Sequence, residues 1–66
     1  MQIKVNGETR ELPENSSVKA LTEVLALNET QIAIERNREI VPRSRWDEVV
    51  LSDEDEIEIV RFIGGG

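Results

Sequence analysis

The sequence has no cysteine and no histidine among its 66 residues, and its only aromatic residues are Trp46 and Phe62. Without thiolates or imidazoles, the chain has neither disulfides nor zinc ligands of these two types, and a histidine-based catalytic triad is excluded. Its unbroken apolar runs are short, the longest being Val24–Leu27, whereas a membrane-spanning helix needs ~20 apolar residues. A basic and then apolar N-terminal segment, typical of a secretory signal, is also missing, so we expect a cytoplasmic protein.

Positive charge is scarce as well, with 8 Lys and Arg residues against 14 Asp and Glu residues and a net charge of -6. Because phosphate groups bind to positively charged surfaces, we expect neither a nucleic acid nor an anionic membrane as a partner. The acidic residues at positions 53–58 lack the glycine-containing loop pattern of calcium sites, so we expect no metal site. The sequence also offers no recognisable pair of nucleophile and general base, which argues against an independent enzyme.

Alternating apolar and polar side chains predict the strands of a mixed sheet with four to five members. The candidate strands cover residues 1–5, 9–12, 31–36, 39–41 and 56–63. Asn6-Gly7 is typical of a tight hairpin turn, whose two central residues need positive φ, and Asn37-Arg38 is the expected second turn. A helix between the second and third strands can carry the chain across the sheet. The first and last strands are then expected side by side at its centre.

One segment, after the first hairpin, predicts a helix of more than two turns. Ser16 or Ser17 is the expected N-cap, and Asn28, which tolerates the left-handed conformation, is the expected end. The apolar stripe comprises Val18, Leu21, Val24 and Leu25, and the solvent side comprises Lys19, Thr22 and Glu23. A helix on one sheet face gives an α+β domain over residues 1–63. Residues 43–46 predict a single helical or 3₁₀ turn, with Trp46 anchored against the core.

Four arginines lie close together in this otherwise acidic chain: Arg36, Arg38, Arg43 and Arg45. We interpret them as a solvated face that is partly neutralised by three acidic residues, Glu35, Glu39 and Glu48. A contact with the rim of a partner protein is the alternative interpretation.

The last strand predicts an exposed apolar surface close to the C-terminal glycines. Alternation places Ile57 and Ile59 inward, and it therefore places Val60 and Phe62 outward. Exposed apolar clusters mark docking surfaces, so we predict that a partner binds here. The alternative is a bulge after Ile59, which would reverse the alternation and bury Phe62.

Three glycines, Gly64, Gly65 and Gly66, end the sequence and predict a flexible tail. Fully extended they reach ~10 Å, and without side chains they can pass through a slot that is too narrow for other residues. The terminal carboxylate of Gly66 is ionised at neutral pH. Such a carboxylate can attack the α-phosphate of ATP and give an acyl-adenylate. A frayed end without a function is the alternative.

Three stretches resemble the ThiS family, the sulfur carrier proteins of thiamin biosynthesis: Ile34–Asn37, Glu39–Arg43 together with Trp46, and Ile57–Gly66. The resemblance implies a ubiquitin-like β-grasp fold and a carrier that is not itself an enzyme. It implies that a ThiF-type activating enzyme, which holds ATP and magnesium, adenylates Gly66. Sulfur from a cysteine desulfurase or a similar donor then gives a thiocarboxylate, which thiazole synthase (ThiG) uses. The expected partner contacts are Val60, Arg61, Phe62 and Ile63, and the expected threading residues are Gly64 and Gly65.

One position departs from the family pattern. Glu54 stands where many relatives have a glycine between two aspartates, which affects turn geometry rather than the tail. Three other functions stay open on the sequence alone: a carrier like the molybdopterin-synthase small subunit, a ubiquitin-like modifier of lysines, and a non-covalent interaction module. The chain length and the Ile-Val-Pro-Arg stretch favour ThiS over the molybdopterin-synthase subunit.

Overall fold

The computed structural model describes residues 1–62, which form a five-stranded mixed sheet and one α-helix. The elements in chain order are β1 (Gln2–Val5), β2 (Glu8–Glu11), α1 (Val18–Val24), β3 (Ile32–Arg36), β4 (Glu39–Ile40) and β5 (Glu56–Arg61). Across the sheet the order is β2-β1-β5-β3-β4, and β1 and β5 are parallel neighbours at its centre. The other described pairs are antiparallel. The predicted α+β class and the central position of the first and last strands are confirmed.

Two tight turns connect the hairpins, and both have the predicted left-handed backbone. Asn6 and Gly7 have φ of 50° and 84°, and Asn37 and Arg38 have φ of 50° and 72°. Positive φ at both central residues gives a turn whose twist matches that of the flanking strands. The hairpin predictions at Asn6-Gly7 and Asn37-Arg38 are therefore confirmed, and each turn places its asparagine beside β5.

The apolar face of α1 differs from the prediction at two positions. Thr22 is buried, with 1% of its surface exposed, whereas Val24 is 62% exposed. Helical spacing explains both, because Thr22 follows Val18 by four residues and shares its face, whereas Val24 follows it by six and turns away. The hydroxyl of Thr22 donates to the carbonyl oxygen of Lys19 at 2.6 Å, so its polar group is satisfied inside the core. The assignments of Thr22 to solvent and Val24 to the core were wrong.

The ends of α1 confirm one predicted cap and correct the other. Ser17 is the N-cap, and its side chain accepts a hydrogen bond from the Ala20 N–H at 3.0 Å. The helix ends at Val24, and Ala26 rather than Asn28 takes the left-handed conformation, with φ of 54°. Asn28 instead accepts from the Thr30 N–H and so begins a short 3₁₀ helix, Glu29–Gln31. The prediction that Asn28 ends the helix was wrong.

A single core lies between α1 and the sheet. Its most deeply buried large side chains are Trp46, Ile3, Leu21, Ile34 and Ile57. The indole N–H of Trp46 donates to the carbonyl oxygen of Val41 at 2.8 Å, which ties the loop after β4 to the core. A 3₁₀ helix, Arg43–Arg45, leads into Trp46, so the predicted turn and its anchoring role are confirmed.

Candidate docking site at the end of the last strand

Strand β5 keeps one uninterrupted alternation along its whole length. Its pairing with β3 is continuous from Ile57 opposite Arg36 to Arg61 opposite Ile32. Ile57 is buried and Ile59 partly buried, whereas Glu58 and Val60 are exposed. Because the register contains no extra residue, the alternative of a bulge after Ile59 is wrong.

Two large apolar side chains are exposed together where β5 ends. Val60 and Phe62 are each 54% exposed. Phe62 continues the ladder beyond β5, since its N–H donates to the carbonyl oxygen of Gln31 at 2.7 Å. Val60 lies opposite Ala33 on β3. Val60 and Phe62 therefore project from the sheet face that α1 does not cover. We call Val60 and Phe62 the apolar strip, and we call that sheet face the outer face.

Glutamates border the apolar strip on the outer face. Glu58 lies directly opposite Glu35, and on its other side Glu35 lies opposite the exposed Ile40 of β4. Directly opposed like charges on neighbouring strands are unfavourable. A partner surface that combines an apolar patch with basic side chains is therefore complementary to this face. Its apolar patch matches the apolar strip, and its positive charges match the glutamates.

Arg61 lies on the other side of the sheet from the apolar strip. It borders an open groove under the end of α1, whose floor is formed by Val5, Leu25, Leu27, Ile32 and Ile59. Glu8 and Arg10 of β2 lie at the same groove. The structure therefore separates Arg61 from Val60 and Phe62, with which the sequence had grouped it as one set of partner contacts.

The beginning of β5 is held by a buried carboxylate. Asp55 is 6% exposed and accepts hydrogen bonds from Arg36 Nε at 2.8 Å, Asn37 Nδ2 at 3.0 Å and the Ser52 N–H at 2.8 Å. Burial opposes ionisation of this carboxyl, but the bonds from Ser52, Asn37 and Arg36 outweigh it and lower the pKa of Asp55. Asp55 therefore fixes the turn before β5 to the β3-β4 hairpin.

The arginine-rich segment forms two ion pairs among the residues that the structure describes. Arg36 pairs with Asp55 at 2.8 Å, and Arg45 pairs with Glu48 at 3.6 Å. Within residues 1–62 no ion pair joins an arginine to Glu35 or Glu39. Arg36 is therefore a structural residue, whereas Arg38, Arg43 and Arg45 are exposed, as expected for a solvated face.

The chain matches the family model described as the ThiS family over residues 3–66. The chain belongs to the ThiS family. It is 35% identical to the sulfur carrier protein ThiS of Bacillus subtilis, and the match covers 97% of this chain and 98% of that protein. The crystal structure of a ThiS from Geobacter metallireducens superposes with a TM-score of 0.86 at 29% identity, with both chains fully covered. The predicted β-grasp fold and the family resemblance are confirmed.

A second kind of relative is much longer than this ThiS-family chain. A thiazole synthase of Paramagnetospirillum magneticum is 44% identical over the whole of this chain, but the match covers only 20% of that protein. The chain thus spans about one fifth of the length of the curated thiazole synthases that it matches. A ThiS-type sequence therefore occurs both as a short chain and within a thiazole synthase.

The remaining predicted site residues, at the C-terminal end of the sequence, lie outside the residues that the structure describes. They are Ile63, Gly64, Gly65 and Gly66. Their proposed roles in partner contact, threading and modification therefore stay predictions. Within residues 1–62, no cluster of acidic side chains is arranged to hold a metal ion, and no helix has the length and apolar character to cross a membrane.

Beside β5, sequence reasoning missed one feature, and it flagged another, at Glu54, only as a change of turn geometry. Asn6, which we expected only to form a turn, bonds to Ile59 through both the oxygen and the nitrogen of its side-chain amide. Glu54 adopts φ of 69°, the left-handed conformation in which glycine is unstrained. The departure from the family pattern already marked Glu54, whereas the local sequence gives no signal for an Asn6 bond that spans 53 positions.

Proposed function

We propose that this chain is a sulfur carrier for thiazole formation in thiamin biosynthesis and that Gly66 is its modified residue. Membership of the ThiS family supports this proposal. The observation that carries it is the apolar strip, Val60 and Phe62, which is exposed immediately before the predicted tail. A carrier needs such a surface because its partners must hold it while they act on its end.

The proposed chemistry takes place at the Gly66 carboxylate. One carboxylate oxygen attacks the α-phosphorus of ATP, pyrophosphate leaves, and an acyl-adenylate forms. A persulfide sulfur from a cysteine desulfurase or a similar donor then attacks the carbonyl carbon, AMP leaves, and an acyl disulfide forms. A thiol of the sulfur-donating partner cleaves its S–S bond, which leaves the thiocarboxylate on Gly66 and a disulfide on the donor. ATP and magnesium are held by a ThiF-type activating enzyme, so this chain is a co-substrate and not itself an enzyme. The thiocarboxylate passes its sulfur to a thiazole synthase of the ThiG type.

The outer face supplies the proposed grip for these partners. Val60 and Phe62 offer apolar area that loses contact with water on binding, and Glu35 and Glu58 select partner surfaces with basic side chains. Arg61 lies on the opposite face of the sheet, so it contributes to binding only if the partner also contacts that face at the end of β5. The cytoplasmic location expected from the sequence stays a prediction.

The test is intact-mass spectrometry after incubation with a ThiF-type enzyme, ATP, magnesium and a sulfur source. We expect a gain equal to the replacement of one oxygen by one sulfur, and no gain when Gly66 carries a C-terminal amide. Lysine-linked conjugates in a cell lysate would instead identify a protein modifier. Partner binding that survives deletion of Gly65 and Gly66, without any mass gain in the full chain, would identify a non-covalent module.

A further inference from the structure

The side chain of Asn6 replaces a missing strand residue beside β5. The Ile59 N–H donates to Asn6 Oδ1 at 2.7 Å, and Asn6 Nδ2 donates to the Ile59 carbonyl oxygen at 3.2 Å. Strand β1 ends at Val5, and at Asn6 the main chain turns away through φ of 50°. One side-chain amide thus satisfies both peptide groups of Ile59, as a further residue of β1 would have done.

Without this amide, the end of β5 would be held from one side only. Alternate residues of a central strand bond to opposite neighbours. Phe62 bonds to Gln31 on the β3 side, whereas Ile57 bonds on the β1 side by accepting from the Asn6 N–H at 2.9 Å. Ile59 also faces the β1 side, where the last paired residues are Val5 and Ile57. The Asn6 side chain therefore supplies the bonds of Ile59 on that side.

We propose that Asn6 is a positioning residue for the carrier reaction, because its amide holds the end of β5 in the conformation that the activating partner binds. This proposal rests on the proposed function. Val60 follows Ile59 directly, so fraying at Ile59 would disperse the apolar strip over many conformations. The apparent dissociation constant of a complex rises as the binding-competent fraction falls. Loss of the amide should therefore weaken recognition and leave the chemical step unchanged.

The chain contains a matched control in Asn37. Both asparagines have φ of 50° and both open a hairpin turn. Asn37 Oδ1 accepts from the Glu56 N–H at 2.9 Å, and its Nδ2 donates to Asp55, so it holds the beginning of β5. Asn6→Gly and Asn37→Gly each remove one side chain and keep the positive φ, since glycine adopts it freely. The two variants differ in which end of β5 they release.

The first arm of the test is amide hydrogen exchange of the Ile59 N–H in the whole chain. Two hydrogen bonds are lost in Asn6→Gly, so we expect the Ile59 N–H to exchange about tenfold faster or more. In Asn37→Gly the exchange rate of the Ile59 N–H should change only as much as the global free energy of unfolding requires. Asn6→Asp keeps an acceptor for the Ile59 N–H and loses the donor, so its exchange should be intermediate. Equal Ile59 exchange in the two glycine variants, after correction for stability, would overturn the proposal.

The second arm is ATP–pyrophosphate exchange catalysed by a ThiF-type enzyme at varied carrier concentration. We expect Asn6→Gly to raise KM for the carrier about three- to tenfold at unchanged kcat, and Asn37→Gly to leave both near the parent values. An equal KM increase in both variants would mean that Asn6 has only a structural role. Failure of the parent chain itself to be adenylated would instead refute the proposed carrier function, so the two failures are distinguishable.

Discussion

The two ends of β5 differ in burial, in charge and in the exposure of apolar side chains. At the beginning, Asp55 is buried, ionised and bonded to groups of Arg36, Asn37 and Ser52. At the end, Val60 and Phe62 are half exposed. The central strand is thus anchored where it starts and presents its surface where it finishes.

This difference separates stability from recognition along one strand. Buried, hydrogen-bonded charges contribute to the free energy of unfolding, whereas exposed apolar groups contribute little to it and much to association. Substitutions at the anchored end should therefore change stability and leave recognition intact. Substitutions toward the tail should do the reverse.

Gly65→Val should produce the largest effect, a loss of thiocarboxylate formation of about a hundredfold or more. A branched side chain does not fit a narrow slot, so it keeps the Gly66 carboxylate from its reacting position in the partner. Thermal unfolding should stay unchanged. The readouts are intact mass after the sulfur-transfer reaction and circular dichroism. Gly65→Ala serves as the graded control with an intermediate loss. A valine variant that is thiolated as fast as the parent would refute the threading argument.

Asp55→Asn should have the largest effect on stability, lowering the free energy of unfolding at pH 7 by about 2 kcal/mol in urea titrations. The change leaves Arg36 without its charge partner, and the partial exposure of Arg36 limits the cost. The folded pKa of Asp55 lies below its unfolded value of ~3.9. The stabilisation is therefore present above the unfolded pKa and is lost as pH falls through the folded pKa.

The difference between parent and Asp55→Asn should accordingly shrink as the pH is lowered from neutral into the acid range. Glu48→Gln is the matched control, because Glu48 pairs with Arg45 on the surface at 3.6 Å. Exposed pairs contribute ~0-1 kcal/mol, so this variant should stay close to the parent at every pH. A gap for Asp55→Asn that widens in acid would contradict the assigned pKa direction.

Phe62→Asp should weaken binding to the activating enzyme by about 1-2 kcal/mol, since it removes an apolar contact and adds charge to an acidic face. The unfolding free energy should change by less than about 0.5 kcal/mol, because Phe62 is exposed. Val24→Asp is the control, since Val24 is exposed on α1 and lies outside the apolar strip. If calorimetric titration gives Phe62→Asp and Val24→Asp the same affinity for the activating enzyme, Phe62 does not belong to the docking surface.

The same contrast explains what the sequence could predict. Strand alternation and turn chemistry are local, so Val60, Phe62 and the Asn6-Gly7 turn were predictable from neighbouring residues. The contacts of Asp55 with Arg36 and Asn37 and of Asn6 with Ile59 join segments that are distant in sequence, and no local pattern encodes them. The face of Thr22 was mistaken because residue type was weighted over spacing. Thr22 shares the face of Val18 by helical spacing, and its hydroxyl is satisfied within the same helix by the carbonyl oxygen of Lys19.

Glu54→Gly should give the smallest effect, a rise of about 0.5 kcal/mol in unfolding free energy. Glu54 has φ of 69°, which costs a non-glycine residue ~1-2 kcal/mol, and the greater freedom of glycine in the unfolded chain offsets part of the relief. Ala26→Gly, at φ of 54° after α1, is the parallel variant with the same expected sign. Because Glu54 precedes the anchored end of β5, thiocarboxylate formation should stay unchanged. A lower melting temperature for Glu54→Gly would mean that its side chain contributes a contact worth more than the backbone strain.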